Sequence, residues 1–331
     1  MIFDGFTMVD SHLLIWTRVI VACLLLAVWH GPLCAAAGAA DGSNGIIVFG
    51  PHPDDAELGC SIVMLQARER GEPVHVVILT NGDSDVPAAA AIVNKPEKAL
   101  GPDDFLAISR SRQEQSQKGI AVLGLPPASL ILLGYPNDGL VDMYHGRGSV
   151  PYTSPYTKKS ATYAFVQEDY HAAVHGRPAP YTREAVIGDI AEILRTLKPR
   201  RVFVTDPADG HPDHSIAYSF VLDGTRKAGF RGEFYTYLIH TSGFDWPWPW
   251  GVTPDKSFEP PHPHQAGTHF PIPWPPVVRV PATAAQDHLK LLAIQCHRLR
   301  MLDPKMDREH EDYMESFVKS DEIFWVAPRK P

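Results

Sequence analysis

Ile46-Ile47-Val48-Phe49-Gly50-Pro51-His52-Pro53-Asp54-Asp55 decides how this chain is read: an apolar run of strand length empties directly into a histidine and two carboxylates. A strand buried on both faces of a parallel sheet needs such an unbroken apolar run, because neither face meets water. Far downstream the arrangement recurs, with Val202-Phe203-Val204-Thr205-Asp206 leading into Asp209-Gly210-His211-Pro212-Asp213-His214. The carboxyl ends of parallel strands share one crevice, so side chains from strand ends distant in sequence can meet there.

Around these two stretches, apolar runs alternate with helix-period segments, the pattern of repeated βαβ units. Strands are expected at 46–49, 74–80, 130–133, 202–205, 234–240 and 323–326, and helices at 56–70, 107–123, 183–197, 214–228, 284–301 and 309–319. Gly71 and Gly124 sit where helix C-caps need positive φ. The fold class expected is α/β: a Rossmann-like, mostly parallel sheet with helices on both faces. Two long loops, 135–181 and 241–276, are rich in aromatics, Pro and His and are expected at the active-site edge. Trp246-Pro247-Trp248-Pro249-Trp250 in the second leaves two roles open, stacking on the apolar face of a sugar or covering a sheet edge.

Composition narrows the class. A chain of 331 residues, 44% hydrophobic and 21% charged, can bury a sizeable core. A formal charge of -8 with no long basic run excludes a nucleic-acid partner, which would require clustered Lys and Arg. Residues 1–40 stand apart: Arg18 precedes the apolar stretch 19–29, then comes Cys34-Ala35-Ala36-Ala37-Gly38-Ala39-Ala40. This pattern reads as a secretory signal peptide cleaved near 37–40, or else as a retained N-terminal anchor, although the apolar core falls short of the ~20 residues of a comfortable span. The remaining 41–331 is expected to be one domain with loop insertions, exported to a periplasmic or extracellular location and touching membrane only if the leader stays. Cys60 and Cys296 read as small buried residues, with a disulfide between them as the alternative.

His52 and Asp55, three apart in a turn, can face one divalent cation, and His214 can supply a third bond. Two imidazoles and a carboxylate leave a coordination position for water, a set suited to Zn²⁺ and also to Fe²⁺. Asp54 then points elsewhere, as general base toward the water. His211, three residues before His214, can stabilise an oxyanion or protonate a leaving amine. The plain alternative makes Asp54 or Asp55 a helix cap. Asp213 reads as an N-cap or as a partner to a ligand, and His75, His145, His240, His262 and His264 as surface or loop residues.

Pro51-His52-Pro53-Asp54-Asp55-Ala56-Glu57-Leu58-Gly59-Cys60, Leu79-Thr80-Asn81-Gly82-Asp83 and Asp209 to His214 resemble the PIG-L-type, or LmbE-like, zinc N-deacetylases over about 46–239. The resemblance implies a Rossmann-like fold and Zn²⁺ on His52, Asp55 and His214, with Asp54 as base and His211 as electrostatic helper. It implies removal of the acetyl group from an N-acetylglucosamine-type sugar in a glycan or glycoconjugate. An Arg that holds the sugar is implied on the helix after strand two, where Arg110 and Arg112 both fall and Arg112 is chosen. Asp138 in Tyr135-Pro136-Asn137-Asp138-Gly139 resembles a position beside substrate hydroxyls, against a turn-forming Asp-Gly. Ala56 departs from the Glu of many members but leaves the ligands intact. The rival functions are an amidase for a longer N-acyl chain or a thiol-conjugate amide, and a non-catalytic carbohydrate-binding module with a structural metal.

Overall fold

Five parallel strands, β1 (Ile46–Gly50), β2 (Val74–Thr80), β3 (Leu130–Tyr135), β4 (Arg201–Thr205) and β5 (Glu233–Tyr237), are extended by antiparallel β6 (Val278–Pro281) and β7 (Asp321–Val326) in the order β3-β2-β1-β4-β5-β7-β6. This computed structural model describes residues 45–146 and 150–327, so the expected leader at 1–40 lies outside the described residues. The described residues fall within one compact unit. The helices are α1 (Asp55–Glu69), α2 (Val86–Val93), α3 (Pro102–Val122), α4 (Leu140–His145), α5 (Tyr170–His175), α6 (Arg183–Leu197), α7 (Pro212–Ala228), α8 (Ala284–Gln295) and α9 (Pro304–Glu315). None among the described residues is long and apolar enough to cross a membrane.

The strand pattern explains the two layers. Ile46 and Val48 of β1 pack with Leu58, Ile62 and Leu65 of α1 and Ile294 of α8, while Ile47 and Phe49 pack with Ile190 and Leu194 of α6 and Phe220 of α7. Both faces of β1 are therefore dry, as its unbroken apolar sequence requires. The chain winds outward from β1 through β2 to β3, then returns to lay β4 on the other side of β1. That return makes the β1–β4 boundary a topological switch point, where a crevice opens at the strand ends.

The α/β, mostly parallel architecture matches the expectation, and β2 and α6 fall on the expected residues. Other boundaries move for local reasons. The second long helix starts at Pro102 rather than 107, because the Asp104 carboxylate accepts the Gly101 N–H at 2.9 Å and opens it earlier. The helix expected at 309–319 sits at Pro304–Glu315, capped by Asp303. Strand 234–240 ends at Tyr237, since the N–H groups of Ile239 and His240 turn to the Asp209 carboxylate. Edge strand β6 and the short helices α2, α4 and α5 occupy stretches without a clear period.

Of the two roles left open for the loop at 241–276, its buried aromatics take the cover of the core. Trp246 is buried, stacks on Phe258 at 5.2 Å and donates its Nε1–H to Leu238 O, and Trp274 lies against Trp325 of β7. Cys60 is buried, Cys296 is half-buried, and both are free thiols. A buried ion pair anchors α1 to this side: Lys290 Nζ donates to Glu322 at 2.8 Å, and Glu322 also accepts the N–H groups of Ile62 and Val63.

Candidate active site

The Pro51-His52-Pro53 turn leaves β1 and is tied to the end of β2 by Thr80, whose N–H and hydroxyl both donate to Pro51 O. The His52 N–H donates to Asp55 Oδ2 at 2.7 Å and folds that carboxylate back over the strand end. From the far side of the switch point, α7 delivers His214. His52 Nδ1, Asp55 Oδ2 and His214 Nε2 then form a triangle with edges of 2.9, 3.2 and 3.4 Å. Ligands of a tetrahedral ion with bonds near 2.1 Å stand roughly 3.4 Å apart, so this donor set fits one small cation. Behind it, Asp209 Oδ2 lies 3.4 Å from His214 Nδ1 and Asp213 Oδ2 lies 3.6 Å from His52 Nε2, the carboxylate backing that orients ligating imidazoles. Asp213 is thus a partner to a candidate ligand; the N-cap of α7 is His211.

Electrostatics sharpen these roles. Burial opposes ionisation of Asp55, but His214 outweighs it and holds the carboxyl well below the usual range. Burial likewise disfavours charge on His214, yet Asp55 and Asp209 push it up to about 10. A cation entering this cradle must therefore displace a proton from that ring.

Asp54 begins α1 without capping it, so the plain capping role fails for this residue. Its Oδ2 instead accepts Arg112 Nη2 at 3.0 Å. Burial and Asp55 would raise the Asp54 pKa, but Arg112, together with His297 and His52, keeps the carboxylate below its ordinary value. Gly82 makes room for that guanidinium: its φ is +62°, and a Cβ there would lie 2.7 Å from Arg112 Cδ. Arg110 points away, over the Phe165 ring.

His211 Nδ1 accepts the Asp213 N–H at 3.2 Å, which assigns the proton of the neutral ring to Nε2. Burial and the neighbouring His52 and His214 push its pKa down to about 3. His211 presents a nitrogen within 4.8 Å of those of His52 and His214, so these three imidazoles are also a set that could hold a cation. Asp138, with φ +58°, forms the expected turn. Its N–H donates to Asp213 and its carboxylate accepts Ser84 Oγ in a turn that also borders the cavity.

The cavity over this cluster measures about 700 Å³. His52, Asp54, Asp55, Arg112, Asp138 and His211 all line it, so the residues singled out by sequence converge apart from His214, which lies beneath. His240, Ile239, His310, Tyr313 and Met314 complete the wall and lie outside the sequence expectation. Tyr313 stacks on His240 at 5.7 Å and donates to Ile239 O. His240 is a loop residue, as expected, but not a surface one: it is half-buried after β5 with its ring 4.8 Å from that of His214, because β5 ends at the same sheet edge. That position after a strand was the available signal. His310 and Tyr313 come from α9 and carry none.

Fold and cluster together define a Rossmann-like protein with a candidate metal centre at its switch point. The family profile described as PIG-L: GlcNAc-PI de-N-acetylase matches residues 47–224, more than half the chain, and the protein belongs to that family. Among solved structures, the N,N'-diacetylchitobiose deacetylase of Pyrococcus horikoshii is similar with a TM-score of 0.51 at 16% identity, covering 98% of this chain and 95% of that one. A conserved protein of Thermus thermophilus is similar with a TM-score of 0.47 at 20% identity, covering 86% and 95%. The zinc-inhibited form of a teicoplanin deacetylase gives 0.45 at 14%, covering 86% and 99%.

Proposed function

We propose that the protein is a metal-dependent hydrolase that removes the N-acetyl group from an N-acetylglucosamine-type amino sugar in a glycan or glycoconjugate. The observation that carries this reading is the triangle of His52, Asp55 and His214 beneath a cavity into which Asp54 projects. When bound there, a divalent cation would polarise the acyl carbonyl and lower the pKa of water toward ~7. Asp54, kept ionised by Arg112, takes the proton of the attacking water. The neutral His211 ring donates its Nε2–H to the carbonyl oxygen as that atom gains charge. The departing amine takes its proton from the one held on Asp54 or from His211. Arg112 acts through Asp54, and Asp138 stands where substrate hydroxyls would reach it.

Zn²⁺ is the proposed metal, and Fe²⁺ fits the same donors; metal analysis of protein purified without added metal separates them. Export through residues 1–40 belongs to the same proposal, tested by fractionating cells that make the full chain. The cavity volume and its apolar wall of Leu58, Val86, Pro87, Ile239 and Met314 favour a second reading, an amidase for a longer N-acyl chain. Acetate release from N-acetylated mono- and oligosaccharides, with and without a chelator, tests the main reading. Chelator-sensitive release of longer acids in preference to acetate would replace it with the second.

A further inference from the structure

A second cluster of metal-ligand chemistry lies away from the active-site cavity, where α5 meets α6. His171 and His175, one turn apart on α5, bring their rings to 4.4 Å. Across from them on α6, Asp189 Oδ1 lies 2.7 Å from His171 Nδ1, and Glu192 Oε2 lies 2.9 Å from His175 Nε2. One donor atom from each of His171, His175 and Asp189 falls within 4.8 Å of the other two.

We propose that His171, His175 and Asp189 form a second binding site for a borderline divalent cation such as Zn²⁺. Two histidines at i and i+4 on one helix face are a spacing that places both imidazoles on one ion. Two imidazoles with one carboxylate match the donor preference of zinc. Each histidine now shares a proton with its carboxylate. Replacing that proton by an ion parts His171 Nδ1 from Asp189 Oδ1 by roughly 0.7 Å, toward the spacing of tetrahedral ligands. Asp189 is 2% exposed and His175 is 38% exposed, so the site has a fixed inner donor and an open outer side through which an ion can enter.

The location gives the ion a task. Helix α5 has six residues, too few to be stable alone, and it belongs to the long segment between β3 and α6. Asp189 also accepts the Tyr135 hydroxyl at 2.6 Å, and Tyr135 leads directly into Asn137 and Asp138 at the catalytic cavity. An ion at this site would fasten that segment to α6 and steady the cavity border.

Zinc(II) bound per full-length chain, measured at low micromolar free zinc after chelator stripping, tests the proposal. The expected counts are two for the wild type, one for His175→Gln, one for His52→Ala and none for the double variant. The glutamine side chain in His175→Gln can keep the bond to Glu192 while losing the imidazole, and His171→Asn offers the same contrast at the inner position. Zinc should raise the Tm of His52→Ala by several degrees and leave that of the double variant unmoved. Equal counts for the wild type, His175→Gln and His171→Asn would overturn the second site. Equal counts for the wild type and His52→Ala would instead fault the active-site assignment, so the two failures are distinguishable.

Discussion

Replacing Arg112 by Gln removes the cation that holds Asp54 ionised, and the consequence should be visible as a pH shift. At an effective dielectric near 20, unit charges 3.0 Å apart attract by about 5.5 kcal/mol. Both side chains reach the cavity, with 9% and 13% exposure, so solvent takes part of that attraction. A carboxylate beside an arginine is held ionised to lower pH, and the variant should lose that depression. A base whose pKa rises is protonated up to a higher pH. The acid limb of kcat/KM against pH therefore moves upward in Arg112→Gln, while Arg112→Lys, which keeps the charge, leaves it closer to its wild-type position. The assay is amine appearance from an N-acetylated sugar across pH 4 to 9, at full metal loading. An unmoved acid limb in Arg112→Gln, with KM raised at every pH, would refute the positioning role and leave Arg112 a simple grip on the sugar.

Two further outcomes follow from buried charge. Burial raises Asp83 to about 6 despite bonds from the Asn137 N–H and the Tyr163 hydroxyl. Because the folded form binds the proton more tightly than the unfolded chain, Asp83 lowers stability progressively as pH rises from about 4 to about 6. Asp83→Asn should therefore gain up to about 3 kcal/mol on the wild type between pH 4 and pH 7, read by denaturant unfolding; a difference independent of pH would contradict this. Lys290→Met leaves Glu322 buried without its cation and should cost about 3–5 kcal/mol, and adding Glu322→Gln should recover part of the lost Tm. No recovery in the double variant would show that the charge was not the cause.

Much of this architecture is legible because buried parallel strands cannot disguise themselves. Ile46 to Phe49 and Val202 to Val204 face apolar layers on both sides, so their sequences are unbroken, and the polar residues after each run have to stand at the same sheet edge. The cluster of His52, Asp54, Asp55, His211 and His214 follows from that logic. The far wall does not, since His310 and Tyr313 reach the cavity from α9, and a helix face turned toward a cleft has the same period as one turned toward water. The Trp-Pro segment is ambiguous for a related reason: tryptophans pack equally well on a sugar or on apolar side chains, and only the tertiary fold sets Trp246 on Phe258 and Trp274 against Trp325 of β7. His240 escapes a sequence reading because the apolar run of β5 continues up to it, whereas Asp209 draws Ile239 and His240 out of the sheet toward the site.

The most direct measurement is the rate of N-acetyl hydrolysis by Asp54→Asn carrying a full equivalent of zinc. A lost general base should lower kcat by about 10²–10⁴-fold while His52, Asp55 and His214 still retain the ion. Turnover at the wild-type rate in that loaded variant would contradict the account at its centre.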